Sequence, residues 1–366
     1  MKLYWTALLL LPLGCASIPG PESAPLDSLT DHLFADYDDA RLPGAAVLVV
    51  ERGRVLVRRG FGSADLESGI AVTPDSRFRL ASVSKQFTAM AILHLAREGE
   101  LSLDDSLARW LPGLPAWAER VTIFHLLTHT SGIADYEDHL PPSAGRQILD
   151  EDVRTILAGS AELYFEPGTS YRYSNSGYAL LARIAEEASG QSFPTVLRTR
   201  IFEPLSMAGS VAHIEGESVV EDRAYGHARD GAGWRRADQS ATSAVLGDGG
   251  IYASIDEMGR WVMEILEPRI LPKDLVSEAI LPRVETGEGT IRYGFGWRIM
   301  EAGEGPESAA PVEVVWHTGE TAGFRNALVL IPEREVGVVV LTNRNEGRPL
   351  DPALEIALAV GARRSP

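Results

Sequence analysis

Cysteine is nearly absent: Cys15 is the single cysteine in 366 residues. An intramolecular disulfide is therefore excluded, and stability has to come from a packed core. Basic residues are also in short supply, with 34 Lys and Arg against 51 Asp and Glu, a formal net charge of -17. So acidic a chain is repelled by nucleic acid and by anionic membrane surfaces, and no nucleic-acid partner is expected. There is no internal repeat, no heptad seam and no low-complexity stretch beyond a short segment near the start. No Gly-x-Ser-x-Gly elbow occurs, which leaves the α/β-hydrolase route to serine chemistry without support. Neither a Gly-x-x-x-x-Gly-Lys-Ser/Thr loop nor a His-Glu-x-x-His pair is present. What remains is an ordinary globular composition, 45% hydrophobic and 23% charged, long enough for one large domain or two interleaved lobes.

The N-terminus differs from the rest. Lys2 precedes an apolar run from Leu3 to Leu13, too short to span a bilayer, followed by the small residues Gly14, Cys15, Ala16 and Ser17. That order reads as a secretory signal over residues 1–16. A cysteine just after an apolar run and a glycine resembles the lipobox of bacterial lipoproteins, whose thiol is acylated, although Pro12 stands where leucine is usual. The other reading is ordinary cleavage after Ala16 or Ser17. Both imply export, either to the periplasm or to a membrane through a lipid on Cys15. Residues 17–25 read as a tether rich in Pro, Ser and Gly.

From residue 26 to 366 a single folded domain is expected. Apolar residues at helical spacing over Leu26–Tyr37 predict an amphipathic helix. Ala45–Val50 and Val55–Gly60 read as strands joined by Glu51-Arg52-Gly53-Arg54, a hairpin signal. From about 86 to 246 helices and loops dominate. Ser84–Glu98 is one helix, Asp104-Asp105 open another, and Tyr178–Ser189 is a third that Gly190 closes. Strands return at Tyr293–Met300, Val312–His317, Arg325–Ile331 and Val336–Asn343, and Leu354–Arg364 reads as a closing helix. The pattern predicts an α+β fold, with an antiparallel sheet built from both ends of the chain and a mainly helical inserted lobe.

Three short motifs carry chemistry. Ser82-Val83-Ser84-Lys85 sits where the hairpin region meets a helix, and spacing of three puts hydroxyl and amine on one face. A hydroxyl nucleophile needs a base within hydrogen-bond reach on a rigid element. In Tyr173-Ser174-Asn175, the phenol can act as base and then as acid to a leaving group. The Asn175 amide can donate to a substrate carbonyl and accept from Lys85. In His317-Thr318-Gly319-Glu320, on an expected edge strand, Gly319 would let substrate lie against the backbone. The N–H of Glu320 could complete an oxyanion hole with that of Ser82. His317 could orient a leaving group or a carboxylate. Taken singly, each has a plainer reading: a capped helix, a turn around a buried tyrosine, a strand end with a structural histidine.

Taken in order, Ser-x-x-Lys, Tyr-x-Asn and His-x-Gly resemble the penicillin-recognising serine hydrolases: class C β-lactamases, D-alanyl-D-alanine peptidases and related esterases. The resemblance extends through Pro43-Gly44, Phe61-Gly62-Ser63-Ala64-Asp65, His125-Leu126-Leu127-Thr128-His129-Thr130-Ser131-Gly132, Gly249-Gly250 and Tyr293-Gly294-Phe295-Gly296-Trp297. It covers roughly Leu33 to Asn343. It implies the β-lactamase/transpeptidase-like fold and two-step acyl transfer on Ser82 by the Lys85–Tyr173 pair. Asn175, His317, Gly319 and Glu320 would line the substrate, without cofactor or metal. The β-lactamases usually carry Lys-Thr-Gly at the third motif; His317 instead fits the peptidase and esterase branches. A D-alanyl-D-alanine carboxypeptidase or esterase-like enzyme is thus expected, acting on a small or peptidoglycan-type substrate. The alternatives are a β-lactamase proper and a penicillin-binding receptor that never turns over. Outside these motifs, His125 and His129 are four apart, but no third ligand is evident and a structural role is expected. The loops at 136–146 and 212–240 would govern selectivity.

Overall fold

The computed structural model describes residues 24–140, 146–160, 162–303 and 311–362. The expected signal with Cys15, and most of the tether, lie outside the described residues. An N-terminal helix, α1 (Ala24–Leu33), leads into the hairpin of β1 (Ala45–Glu51) and β2 (Arg54–Phe61). Arg52 and Gly53 at its tip take φ of 50° and 70°, the twist that suits a two-residue hairpin. The far end supplies β3 (Val284–Glu285), β4 (Arg292–Tyr293), β5 (Arg298–Ala302), β6 (Val312–Thr321), β7 (Phe324–Ile331) and β8 (Val336–Thr342). All eight form one antiparallel sheet in the order β3-β4-β5-β6-β7-β8-β1-β2. β1 lies between β8 and β2, so the two ends of the chain close a single sheet, as the sequence pattern requires.

Alternation along β1 explains the layers. Ala45, Val47 and Val49 face one apolar cluster, where α1 and the closing helix α5 (Leu350–Gly361) cover the sheet. Ala46, Leu48 and Val50 face the other, which runs through α4 (Ile255–Leu266) into the inserted lobe. Burial on both faces is why β1 reads as an unbroken apolar run. Between them the chain places α2 (Lys85–Glu98) and α3 (Asn175–Ser189), which pack against each other in that lobe.

Several element bounds differ from expectation. The strand expected over Tyr293–Met300 is two short strands, because a turn at 294–297 intervenes. There Gly296 takes φ 81° and lies closer to the backbone of Lys85 and Gln86 than a Cβ would permit. Asp105 does not open a helix; its carboxylate accepts the Ser102 N–H at 2.9 Å and the next helix begins at Leu107. α3 starts three residues before Tyr178, and α5 runs over Leu350–Gly361 instead of Leu354–Arg364.

Candidate active site

Ser82 lies in a 3₁₀ turn (Ala81–Ser84) that runs straight into α2. In 3₁₀ geometry residues three apart eclipse, and the Lys85 Nζ accordingly reaches Ser82 Oγ at 3.1 Å. The turn is pinned from several directions. Buried Arg79 donates to the carbonyls of Gly249 and Ser243 at 3.1 and 3.0 Å, and buried Asn326 on β7 donates to the Arg79 carbonyl at 2.8 Å. Ala81, just before the serine, has φ 51°, a conformation that costs an L-residue roughly 1–2 kcal/mol. Such strain persists only where surrounding contacts over-determine the backbone.

Lys85 is fully buried, and its Nζ has three oxygens around it. Besides Ser82 Oγ these are Asn175 Oδ1 at 2.8 Å and the Asp248 carbonyl at 2.9 Å. The last two accept and cannot donate, so they hold two N–H bonds whatever the charge state. The third position faces Ser82 Oγ, with a proton in the ammonium and a lone pair in the amine. Behind Asp248 lies a second layer. Its buried carboxylate accepts from Tyr136 Oη at 2.8 Å, and Asp150 accepts the Leu246 and Gly247 N–H groups at 2.9 and 3.0 Å. Burial pushes the Asp248 carboxyl up to about 6, against the lowering effect of Lys85 and Tyr136. Burial also pushes Asp150 up to about 7.

Tyr173 stands just before α3, its ring centroid 5.0 Å from Lys85 Nζ. Its hydroxyl has no hydrogen-bond partner among the described residues. Asn175 opens α3; its amide oxygen faces Lys85, and its backbone N–H donates to Asp135 at 2.8 Å.

The third motif is on β6, which is internal to the sheet and not an edge strand. Pairing with β5 nevertheless ends at Trp316, so residues 317–321 run past their neighbour and are locally open on that side. The two-residue turn after Thr321 makes Thr321 and Phe324 the hydrogen-bonded pair. Alternation then turns the N–H of Glu320 away from β7, toward the side that β5 leaves open. Gly319 is required by the protein's own packing, because the Leu80 backbone lies directly against it. A Cβ there would lie 2.1 Å from the Leu80 carbonyl oxygen. His317 is buried, with both ring nitrogens engaged: Nδ1 at 2.6 Å from the Thr318 carbonyl and Nε2 at 3.1 Å from Tyr293 Oη. The carbonyl only accepts, so Nδ1–H donates to it and Tyr293 O–H donates to Nε2.

Burial, with Lys85 and Arg298 adding to it, pushes the His317 imidazole down to about 3. Its folded value is depressed, so its contribution to stability is present above the ordinary value of about 6.5 and is lost as pH falls toward 3. Asp248 and Asp150, raised on folding, act in the opposite sense. The difference between wild type and His317→Asn therefore isolates the histidine. In urea unfolding it should shrink by about 2 kcal/mol between pH 6.5 and 4.5; a constant difference would show that His317 is not held neutral.

Four functional candidates carried no motif in the sequence. Asp248, Tyr136 and Asn326 act on the site from behind, as described. Arg298, on β5, lies 6.0 Å from the Tyr173 ring and pairs with Glu288 at 2.7 Å, bringing a permanent cation near the neutral His317. The His125–His129 pair has no metal-ligand geometry: Nδ1 of His125 accepts the Thr122 N–H and Nδ1 of His129 accepts the Ser174 N–H. Among the described residues no cluster of metal-ligating side chains occurs, and no helix is long and apolar enough to cross a membrane.

Residues 30–362 match the beta-lactamase family. Penicillin-binding protein 4* of Bacillus subtilis is 30% identical over 341 residues, 88% of this chain and 73% of that protein. D-aminopeptidase of Gluconobacter oxydans is 31% identical over 349 residues, 94% of this chain; the chain spans 63% of that relative's length. The octameric penicillin-binding protein homologue from Pyrococcus abyssi superposes with a TM-score of 0.77 at 28% identity, over 92% of this chain and 77% of the other. A penicillin binding protein from Bacillus halodurans shares the fold, with a TM-score of 0.74 at 24% identity over 92% and 98% of the two chains. Sequence match, fold and the convergence of the three motifs agree: this chain belongs to the beta-lactamase family, among the penicillin-recognising serine hydrolases.

Proposed function

We propose that the chain is an acyl-transfer serine hydrolase of the D-alanyl-D-alanine carboxypeptidase or esterase-like kind, with Ser82 as nucleophile. The observation that carries this reading is the setting of Lys85. Two acceptor-only oxygens hold its N–H bonds, and the third position is aimed at Ser82 Oγ at 3.1 Å. In the amine form, Lys85 takes the Ser82 proton as Oγ bonds to the substrate carbonyl carbon. The oxyanion is met by the N–H groups of Ser82 and Glu320. As the tetrahedral centre collapses, the bond to the leaving group breaks and the Tyr173 O–H supplies its proton. Lys85 returns a proton to Tyr173, so the net transfer is from Ser82 to the leaving group. Water then attacks the acyl-enzyme by the reverse sequence, giving acid and free Ser82.

Arg298 and His317 support a substrate with a free carboxylate, since a fixed cation stands near a histidine that burial keeps neutral. The relative named D-aminopeptidase supports an amide of a D-residue. The N-terminal sequence adds export to this reading, to the periplasm or onto a membrane through Cys15.

The deciding experiment is intact mass after incubation with benzylpenicillin, followed by peptide mapping. One adduct on the Ser82 peptide, together with turnover of a D-alanyl ester or amide, is the expected result. Rapid release of hydrolysed penicillin would identify a β-lactamase, and a lasting adduct without ester or amide turnover would identify a receptor. No adduct and no ester turnover would overturn the enzyme reading.

A further inference from the structure

We propose that His129 is a positioning residue for Tyr173, setting the direction in which that phenol can deliver a proton. The inference rests on Tyr173 acting as proton donor to the leaving group. The Tyr173 hydroxyl has no hydrogen-bond partner among the described residues, so no bond of its own fixes where it points. Its place has to be set by its ring and its backbone, and His129 holds both. The imidazole lies on the Tyr173 ring, centroids 4.3 Å apart at 36°. The His129 carbonyl accepts the N–H of Arg172 at 3.0 Å. Its Nδ1 accepts the N–H of Ser174 at 3.2 Å. The residues on either side of Tyr173 are thus tied to one residue, 45 positions away from Ser174 in the chain.

The rest of His129 suits that task. It is 1% exposed and has φ 58°, the left-handed region that few side chains other than Asn, Asp and His enter. That conformation is what lets one residue present its carbonyl and its ring to the same segment. Tyr293 and Tyr178 pack on the imidazole at 4.7 and 5.1 Å, so the ring cannot swing away from Tyr173. Burial, reinforced by the Lys85 charge, holds its pKa well below the ordinary histidine value, so Nδ1 keeps the lone pair that receives the Ser174 N–H.

Leaving-group dependence separates positioning from plain structure. A p-nitrophenolate leaves without being protonated, whereas an alkoxide or amine needs a proton at the transition state. Two D-alanyl esters, p-nitrophenyl and methyl, are therefore compared by kcat/KM, which reports acylation and leaves out the deacylation that both share. Tyr173→Phe is expected to spare kcat/KM for the first and depress it for the second. His129→Gly, which accepts φ 58° without strain but lacks ring and acceptor, should do the same. Its kcat/KM should fall roughly 100-fold for the methyl ester and less than about 3-fold for the p-nitrophenyl ester. His129→Asn keeps the left-handed conformation and places Oδ1 where Nδ1 was, and should recover about a tenfold part of the loss. Adding Tyr173→Phe to either variant should cost nothing more, because both act on one proton transfer.

A uniform loss on both esters, or losses that add in the double variant, would make His129 merely structural and overturn the inference. If Tyr173→Phe separates the esters and both His129 variants do not, this inference alone falls. If Tyr173→Phe itself leaves the two esters alike, the proton-donor role of Tyr173 falls, and that of His129 with it. Should His129→Gly fail to fold, judged by its thermal transition, the Asn variant and its double variant decide.

Discussion

Lys85→Ala is expected to lower kcat/KM for a D-alanyl ester by roughly 10⁴-fold, and adding Ser82→Ala should cost little more. In the proposed mechanism the two side chains act as one unit: without the amine, the Ser82 hydroxyl has no acceptor for its proton, and without the hydroxyl the amine has nothing to activate. Lys85→Arg discriminates between a base and a mere positive charge. A guanidinium keeps the cation but does not release its proton near neutral pH, so this variant should be as inactive as Lys85→Ala. If Lys85→Arg kept more than a tenth of wild-type activity, charge and not proton transfer would be the contribution of this position. The alanine variant should also be less stable. It leaves Asn175 Oδ1 and the Asp248 carbonyl without their shared donor, at about 1–3 kcal/mol for each buried orphan. Kinetics and urea unfolding on the same preparations separate the two effects, since activity is lost even where the protein stays folded.

Local spacing was readable from sequence wherever the chemistry itself is local. Ser82 and Lys85 are three residues apart and meet because one turn eclipses them. Tyr173 and Asn175 flank a helix start, which the motif marks. Strand identity was readable in β1, β7 and β8 because both faces are buried and apolar residues run almost without break. Asp248, Tyr136 and Asn326 were not readable, for a shared reason. Each is a single polar residue outside the three motifs, and its partner lies far off in the chain: 112 residues for Tyr136 and Asp248, 247 for Asn326 and Arg79. A polar side chain is placed by what it meets, and sequence spacing does not record a meeting at that range. The edge-strand expectation for His317–Glu320 missed for a related reason. Whether a strand is an edge depends on how far its neighbour extends, and β5 stops opposite Trp316. The openness is real, but it belongs to five residues and not to the strand.

Gly319→Ala tests how tightly that opening is coupled to the nucleophile, and it is expected to lower kcat by roughly 10²- to 10³-fold. A Cβ at 319 would sit 2.1 Å from the Leu80 carbonyl oxygen and 3.2 Å from the Ala81 Cβ. No flexible side chain can yield there, because the nearest atom is backbone. Either β6 or the 3₁₀ turn must move by more than an ångström. β6 is held by β7 along residues 315–321, and on its other side by β5 up to Trp316. The turn is held by Arg79 and Asn326, but it already carries the strained Ala81. The turn is therefore the part expected to give, taking Ser82 Oγ away from the Glu320 N–H. Separation of nucleophile and oxyanion donor harms every substrate alike. Gly319→Ala should consequently depress kcat/KM for the p-nitrophenyl and methyl esters by the same factor, unlike a change at Tyr173. Overpacking should also cost about 1–3 kcal/mol in urea unfolding. Retention of more than half the wild-type kcat, with that stability loss present, would show that the turn follows β6 as a rigid unit. In that case Ser82 and the Glu320 N–H would move together, and the strain at Ala81 would not be what aligns them.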